Sequence, residues 1–344
     1  MADINTVAGY NQVLSMALES RSRSYQDLVS NNNALYAVLK RKGLWQTYSG
    51  PTIRQTLQIA KQTAQWYSGY DQLLNPAIDL VNDAVFTPKF VVVPVILSMQ
   101  EILNNQGTNQ LIDVYDFYIS AAERTLEDTF DAALYSDGQA NNGKQITGLA
   151  TAIPIATTTG TYGGIARSNV QWQTKVYDPH AFGTAQSLAA FGTQVTKDTI
   201  RPMLNYVMTK QSRGKDYADL LIMSPEHYAA YDAATIAIQR QTNETSLGKL
   251  GFSALEYIGG GKRAEIVLDG GIGSNMPSNT TFGINTDSFR VRYHPNRNFD
   301  KIFDGEGQMP IDKDAIAQFI GWAGEITMTN PQFNWRMYDS NPAA

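Results

Sequence analysis

Cysteine is absent from this 344-residue chain. That excludes disulfide stapling, thiolate catalysis and cysteine-ligated zinc together. Histidine is scarce: the three, His180, His227 and His294, lie far apart and none has the spacing of a metal-ligating pair, so each is read as an ordinary structural or surface residue. No GxSxG nucleophile elbow occurs, and no histidine is placed by a local motif beside a serine. Long apolar runs are missing as well. No window approaches the roughly 18 apolar residues of a membrane span, and the opening MADINTVAGYNQVLS has no basic region followed by an apolar core. The chain is therefore expected to be made and used in cytosol.

Charge is sparse and slightly acidic. Lys and Arg number 27 against 32 Asp and Glu, a formal net charge of −5, which leaves no overall electrostatic footprint for tight nucleic-acid binding. The run GGGKR at Gly259–Arg263 suggests a phosphate cradle, but Glu256 and Arg263 stand where a Walker loop requires glycine and Ser or Thr, so a surface turn is expected. Glu123 and Glu127 form an i, i+4 carboxylate pair, yet without a histidine ligand no metal site, no cofactor and no catalytic residue is assigned.

What is present is tyrosine, 18 residues of it, in a chain where Lys and Glu are few. Such a surface suits burial against partners. Residues 1–45 are polar and partly helical, with Leu35, Val38 and Leu39 marking a short amphipathic turn; they read as an arm that lies on something else. From Thr52 to Ala64, Ile53, Leu57 and Ile59 alternate with Arg54, Thr56 and Gln58, the period-2 pattern of a half-exposed strand. Trp66, Tyr67 and Tyr70 follow around Gly69, completing a hairpin arm that needs a surface to pack on. Residues 84–98 are an apolar β run in which Pro88 and Pro94 are confined to strand ends, edges or bulges.

Leu111, Tyr115, Tyr118, Ala122, Leu126, Phe130 and Ala133 then recur every three or four residues, predicting one helix on the order of 40 Å long. It carries Asp113, Asp116, Glu123, Glu127, Asp128 and Asp131 against Arg124, whereas the arm holds Arg54 and Lys61 and no acid between Pro51 and Tyr70. A charged face is usually a solvated one. Complementary charge of this kind also sets register across a subunit boundary, so Arg54, Lys61, Trp66 and Tyr67 on one copy and Glu123, Glu127, Asp128 and Asp131 on another are the candidate intersubunit contacts.

Residues 139–285 are mixed α/β: Gly-rich turns in GKQITGL and GTYGGIARS, helices at 198–209 and 225–241, a buried strand in DLLIMSP, and strand then turn in AEIVLDGGIG. The tail is β-rich, with long strands in TFGINTDSFRVRYHP and AIAQFIGWAGEITMTNPQFNWRM separated by DGEGQMPIDKD. No internal repeat is found.

The order of QWYSGYDQL, FTPKFVVVPVILSMQEILNNQG, the helix ending LYSDG, ITGLATAI, TYGGIARSNVQWQ, DLLIMSPEHYAAY, RVRYHP and GWAGEITMTNP resembles the major capsid proteins of tailed bacteriophages, the Hong Kong 97-type fold. The Gly-Gly-Ile-x-Arg phrase followed by Trp172 is the most distinctive local match. The resemblance implies an α+β fold with an N-terminal arm at 1–48, an E-loop hairpin at 49–74, a peripheral domain with a long spine helix at 75–140, an axial domain at 141–285, and return strands of the peripheral domain at 286–344. It implies a structural protein and no enzyme: hexamers and pentamers that self-assemble into an icosahedral head around double-stranded DNA, without sequence-specific binding and without a membrane. A portal, and scaffolding or decoration proteins, are the further partners it implies, with assembly in the host bacterial cytoplasm and residence in the virion. Lys61 lies in the loop that some members cross-link, but that chemistry is not carried over. An encapsulin-type nanocompartment shell keeps the fold and changes the cargo; a soluble oligomeric enzyme, or a tail-tube or connector subunit, changes the class.

Overall fold

The structure, a computed structural model, describes residues 34–58, 60–74, 76–104, 114–235, 255–302 and 314–342. Helix α1 (Ala34–Arg41) leads into β1 (Trp45–Thr47), β2 (Ile53–Gln58), β3 (Val81–Phe86) and β4 (Lys89–Ser98), then α2 (Met99–Asn104) and the long α3 (Val114–Tyr135). The short strands β5 (Thr161–Tyr162), β6 (Ile165–Ala166), β7 (Lys175–Asp178) and β8 (Gln186–Ser187) precede α4 (Ile200–Lys210), β9 (Leu220–Met223) and α5 (Pro225–Thr235). Strands β10 (Leu255–Gly259), β11 (Lys262–Leu268), β12 (Thr280–Ile284), β13 (Phe289–Lys301), β14 (Ala315–Met328) and β15 (Trp335–Tyr338) complete the chain. The described residues form two compact units: those within 90–130 and 295–323 make one, and those within 34–89, 131–294 and 324–342 the other.

The larger unit is built on a seven-stranded sheet of order β10-β11-β9-β12-β15-β7-β8. Its middle is β9, parallel to β11 and antiparallel to β12. All four β9 side chains, Leu220, Leu221, Ile222 and Met223, are buried, as expected for a short continuous apolar strand covered on both faces. One face is covered by α4, whose Ile200, Met203, Leu204, Val207 and Met208 repeat at i, i+3, i+4, i+7 and i+8 and pack with Tyr231 of α5, Tyr257 and Met337. The turn in GGGKR is a surface hairpin between β10 and β11, with Gly260 and Gly261 both at positive φ, the geometry of a two-residue β-turn.

Two expectations about the ends of the chain are corrected. Residues 34–47, expected to belong to an arm lying on something else, lie on their own subunit. The apolar side of α1 (Ala34, Leu35, Val38, Leu39) is buried, the Leu35 amide donates to Asp269 Oδ2 at 3.2 Å, Arg41 and Lys42 pair with Glu265, and β1 runs parallel to β13. Leu35, Val38 and Leu39 were legible as an amphipathic turn; what they pack on is their own subunit. The earlier residues of the expected arm lie outside the described residues. The last strand also differs from expectation: β15 leaves β13 and β14 and inserts between β12 and β7 in the seven-stranded sheet, burying Trp335 and Met337.

In the smaller unit, Phe130, Phe299 and Trp322 form an aromatic cluster with ring centroids 4.8–6.5 Å apart. Strand β4 stands at the edge of the four-stranded sheet β1-β13-β14-β4, which is where Pro94 is tolerated because no neighbour needs its missing N–H. Its Val95 and Leu97 are buried while Phe90, Val92 and Ile96 face outward.

Candidate functional site

The arm begins as sequence alternation predicts: Ile53 and Gln55 point inward, Arg54, Thr56 and Gln58 outward, and Gln55 Nε2 donates to Thr327 Oγ1 at 3.2 Å. The return strand is later than expected. β2 pairs antiparallel with β3, from Ile53↔Phe86 to Gln58↔Val81, so the aromatic segment at 66–70 is the tip and not the returning strand. The reason is compositional: alternating β-formers resume only at Val81–Phe86, beyond a polar stretch broken by Gly69 and Pro76.

The tip is ordered by its own polar atoms. Ser68 N donates to Asp71 Oδ2 at 2.8 Å and Asp71 N returns a bond to Ser68 O at 2.9 Å, closing a turn through Gly69. Gln65 then spans both limbs, accepting from Leu74 N at 2.9 Å and donating to Gln72 O at 3.1 Å. This turn holds Trp66 and Tyr70 entirely in solvent, with Tyr67, Leu73 and Leu74 about two-thirds exposed. Burying one such ring stabilises by about 4 kcal/mol before ordering costs, so a partner gains much from this tip.

The base of the arm is held by the Gly-Gly-Ile-Ala-Arg phrase. β5 and β6 form a two-residue hairpin through Gly163 and Gly164, both at positive φ. Gly163 O accepts from Val85 N at 2.9 Å, and a Cβ at Gly163 would lie 2.8 Å from the Phe86 ring. Glycine is required there twice over, for φ and for space. Tyr162 packs edge-on against Phe86 at 5.2 Å, and Trp172 Nε1 donates to Tyr162 O at 2.9 Å. Arg167, 1% exposed, lies over the Tyr162 ring and donates from Nη2 to the carbonyls of Thr151 and Ala152. It thus satisfies the last carbonyls of the turn Leu149–Ala152 as a cationic cap. Burial lowers its pKa, with the tyrosine beside it opposing that shift. The phrase was visible in the sequence; its task of fixing the arm's root depends on contacts with Phe86 and Thr151 that local spacing does not reveal.

The acidic helix is α3, about 33 Å long at 1.5 Å per residue. Its apolar side buries Ala122, Leu126, Phe130, Ala133 and Leu134; Glu123 is exposed, and Glu127 and Asp128 are partly exposed. Asp131 is fully buried, so it is withdrawn from the candidate contact residues. One helical position separates it from Phe130, and the packed stripe widens there to include it. Asp113 lies outside the described residues. Arg54, Lys61, Trp66 and Tyr67 belong to the larger unit and Glu123, Glu127 and Asp128 to the smaller one.

One cluster of titratable groups and one buried carboxylate lie elsewhere. Asp178, His180 and Asp339 bring possible ligand atoms within 4.8 Å of one another. The two carboxylates are engaged as loop staples: Asp178 accepts from Phe182 N and from Ser340 N and Oγ, and Asp339 from Val195 N and Asn341 N. Glu325 on β14 is buried and accepts from Thr147 N at 2.7 Å and its neighbour Ile326 N at 3.0 Å. Desolvation pushes its pKa up to about 7, against the opposing pull of those amides and of Lys89.

No family model matches the sequence, and no curated protein matches it either. Solved structures do. The subunit of the cyanophage A-1(L) capsid asymmetric unit superposes with a TM-score of 0.67 at 16% identity, over 94% of this chain and 97% of that one. This is the Hong Kong 97-type phage-capsid fold. The capsid of the native GTA particle matches at a TM-score of 0.59 and 11% identity, over 98% of this chain and 100% of that one. The capsid of Myoviridae phage XM1 matches at 0.55 and 12%, over 98% and 100%. Such coverage shows the fold over nearly the whole chain, while the identity is too low for residue roles to be transferred.

Proposed function

We propose that this chain is the major shell protein of a tailed-phage-type head, assembling with copies of itself as hexamers and pentamers into an icosahedral container for double-stranded DNA. The observation that carries the reading is the arm: an exposed aromatic tip, ordered by its own hydrogen bonds and rooted in a buried Gly-Gly-Ile-Ala-Arg hairpin, on a capsid fold. An arm with an unburied apolar end makes sense when a neighbour buries it, and head-to-tail contacts of that kind close into rings. The role is mechanical and not enzymatic. Net acidity suits a wall that encloses DNA without gripping it.

Arg54 and Lys61 of one copy then face acids of another, with Glu123 and the partly exposed Glu127 and Asp128 as the candidates. A portal, and scaffolding or decoration proteins, complete the set of partners; assembly takes place in the bacterial cytoplasm, and the product is the virion. Among the described residues no helix is long and apolar enough to cross a membrane.

The test is sedimentation of the purified chain beside a variant in which residues 60–80 are replaced by a short turn. The full chain is expected to run as large particles and the variant as small, folded species with an unchanged circular dichroism spectrum. Equal sedimentation of the two would remove the arm from assembly and with it this reading.

A further inference from the structure

Strands β7 and β15 run parallel, with Tyr177 opposite Met337, so the chain leaves the seven-stranded sheet at the same end twice. Asp178, the last residue of β7, and Asp339, which follows the last residue of β15, are thereby brought together. A β-turn follows β7: Ala181 N donates to Asp178 O at 3.2 Å, and Pro179 supplies the fixed φ that suits its second position. The turn folds His180 back over the strand ends, and its Nδ1 lies 3.7 Å from Asp339 Oδ1. Among the described residues these three are the one group of His, Asp or Glu whose possible ligand atoms all lie within 4.8 Å of one another. Local spacing does not reveal it, because the third residue comes from the far end of the chain.

Both carboxylates are buried and aimed. Phe182 N and Ser340 Oγ donate to Asp178 Oδ2 at 2.9 and 2.7 Å, and Ser340 N to Oδ1 at 3.2 Å. Val195 N donates to Asp339 Oδ2 at 2.9 Å and Asn341 N to Oδ1 at 3.0 Å. A carboxylate has about four acceptor sites, so Asp178 Oδ1 and both oxygens of Asp339 keep lone pairs to spare. All of these donors are neutral, and among the described residues no Lys or Arg pairs with either acid. Two ionised carboxylates this close repel each other in a buried setting, which a cation between them relieves. The 3.7 Å gap to His180 is too long for a hydrogen bond, yet it is close to the roughly 3–4 Å that separates two ligands sharing one ion with bonds of about 2.1 Å. Two carboxylates with one imidazole suit Zn²⁺ or Mn²⁺, whereas Ca²⁺ and Mg²⁺ take oxygen ligands. The exposed His180, Ser340 and Asn341 form the entry from solvent.

We propose that Asp178, His180 and Asp339 bind one divalent transition-metal ion of the zinc class, which clamps the end of β15 to the turn after β7. Three protein ligands leave a tetrahedral ion a fourth position for water. The backbone amides behind the carboxylates act as the outer shell that orients them. The ion joins three stretches of chain: 178–182, 339–341 and, through the Val195 amide, the loop before α4. All of them belong to the larger unit, so the clamp is complete within one subunit and does not depend on the shell reading.

The test adds Zn²⁺ to the full chain after treatment with a chelator. Titration calorimetry is expected to give one equivalent per chain, and the Tm is expected to rise with zinc to a plateau and to fall back when chelator returns. His180→Ala alters an exposed side chain, so its Tm in chelator matches wild type, while its zinc affinity drops at least ~10-fold and most of the Tm rise is lost. Asp339→Asn keeps an acceptor for the Val195 amide and is expected to do the same; if it fails to fold, His180→Ala decides alone. His294→Ala, at a histidine outside the cluster, keeps wild-type binding, and Ca²⁺ binds more weakly than Zn²⁺. No saturable zinc binding, zinc binding that survives His180→Ala, or calcium held as tightly as zinc overturns the site. Shell formation, scored separately by microscopy, stands or falls independently of these results.

Discussion

Glu325 is the residue whose environment carries the clearest solution consequence. Burial lifts its pKa from 4.5 in an unstructured chain to about 7 in the fold. The folded state therefore binds a proton that the unfolded state has released, and stability falls as pH rises from 4.5 to about 7, by on the order of 3 kcal/mol in all. Buried His227, lowered to about 4 by desolvation, works the other way: its contribution is present above 6.5 and fades as pH falls toward 4. The two oppose each other near pH 5 to 6, so the comparison must be between wild type and Glu325→Gln. The variant is expected to be the more stable above pH 7, with the difference vanishing below pH 5; parallel denaturation midpoints across that range would refute the assignment. Arg167 offers a second test. Arg167→Met strands the carbonyls of Thr151 and Ala152 and removes the ring contact with Tyr162, at an expected cost of about 3 kcal/mol in urea unfolding. A cost below half a kcal/mol would show that the buried cation is not a cap.

At the scale of elements, the arm root and the arm tip separate cleanly. Gly163→Ala places a Cβ at positive φ against the Phe86 ring, and is expected to cost about 2 kcal/mol and to loosen β3 from β5–β6. Amide exchange at Val85, whose N–H is held by Gly163 O, reads this directly; unchanged protection there would contradict the root assignment. On the strand face, the double reversal Arg54→Glu with Lys61→Glu is expected to abolish particle formation at unchanged subunit stability, since both side chains are exposed. Normal particle yield would dismiss the charge pairing. How much of this was readable depends on range. Strand β2, buried β9, helix α4 and the body of α3 follow from period-2 or 3.6 patterns within a few residues, and all are found where those patterns lie. The return strand of the arm, the docking of α1 on its own subunit and the insertion of β15 beside β7 are pairings across long sequence separations, which no local pattern specifies. Asp131 shows the same limit on one helix: its charge predicted exposure, and burial of the neighbouring apolar stripe prevailed.

For the whole molecule, apolar and aromatic side chains stand in solvent at the arm tip, Trp66, Tyr67, Tyr70, Leu73 and Leu74, and on β4, Phe90, Val92 and Ile96. On the shell reading these surfaces are contact surfaces, each modest by itself and multiplied around a closed particle. The fold is shared with capsid subunits whose sequences agree at 8–16% of positions, so what persists is the fold rather than any particular side chain. The central claim is tested most directly by electron microscopy of the purified chain at high concentration, classifying particles by symmetry. Closed shells of uniform diameter containing both five-fold and six-fold clusters are the predicted result. A population made only of monomers or of a single small ring, at every concentration and also in the presence of a phage lysate as a source of assembly partners, would contradict it.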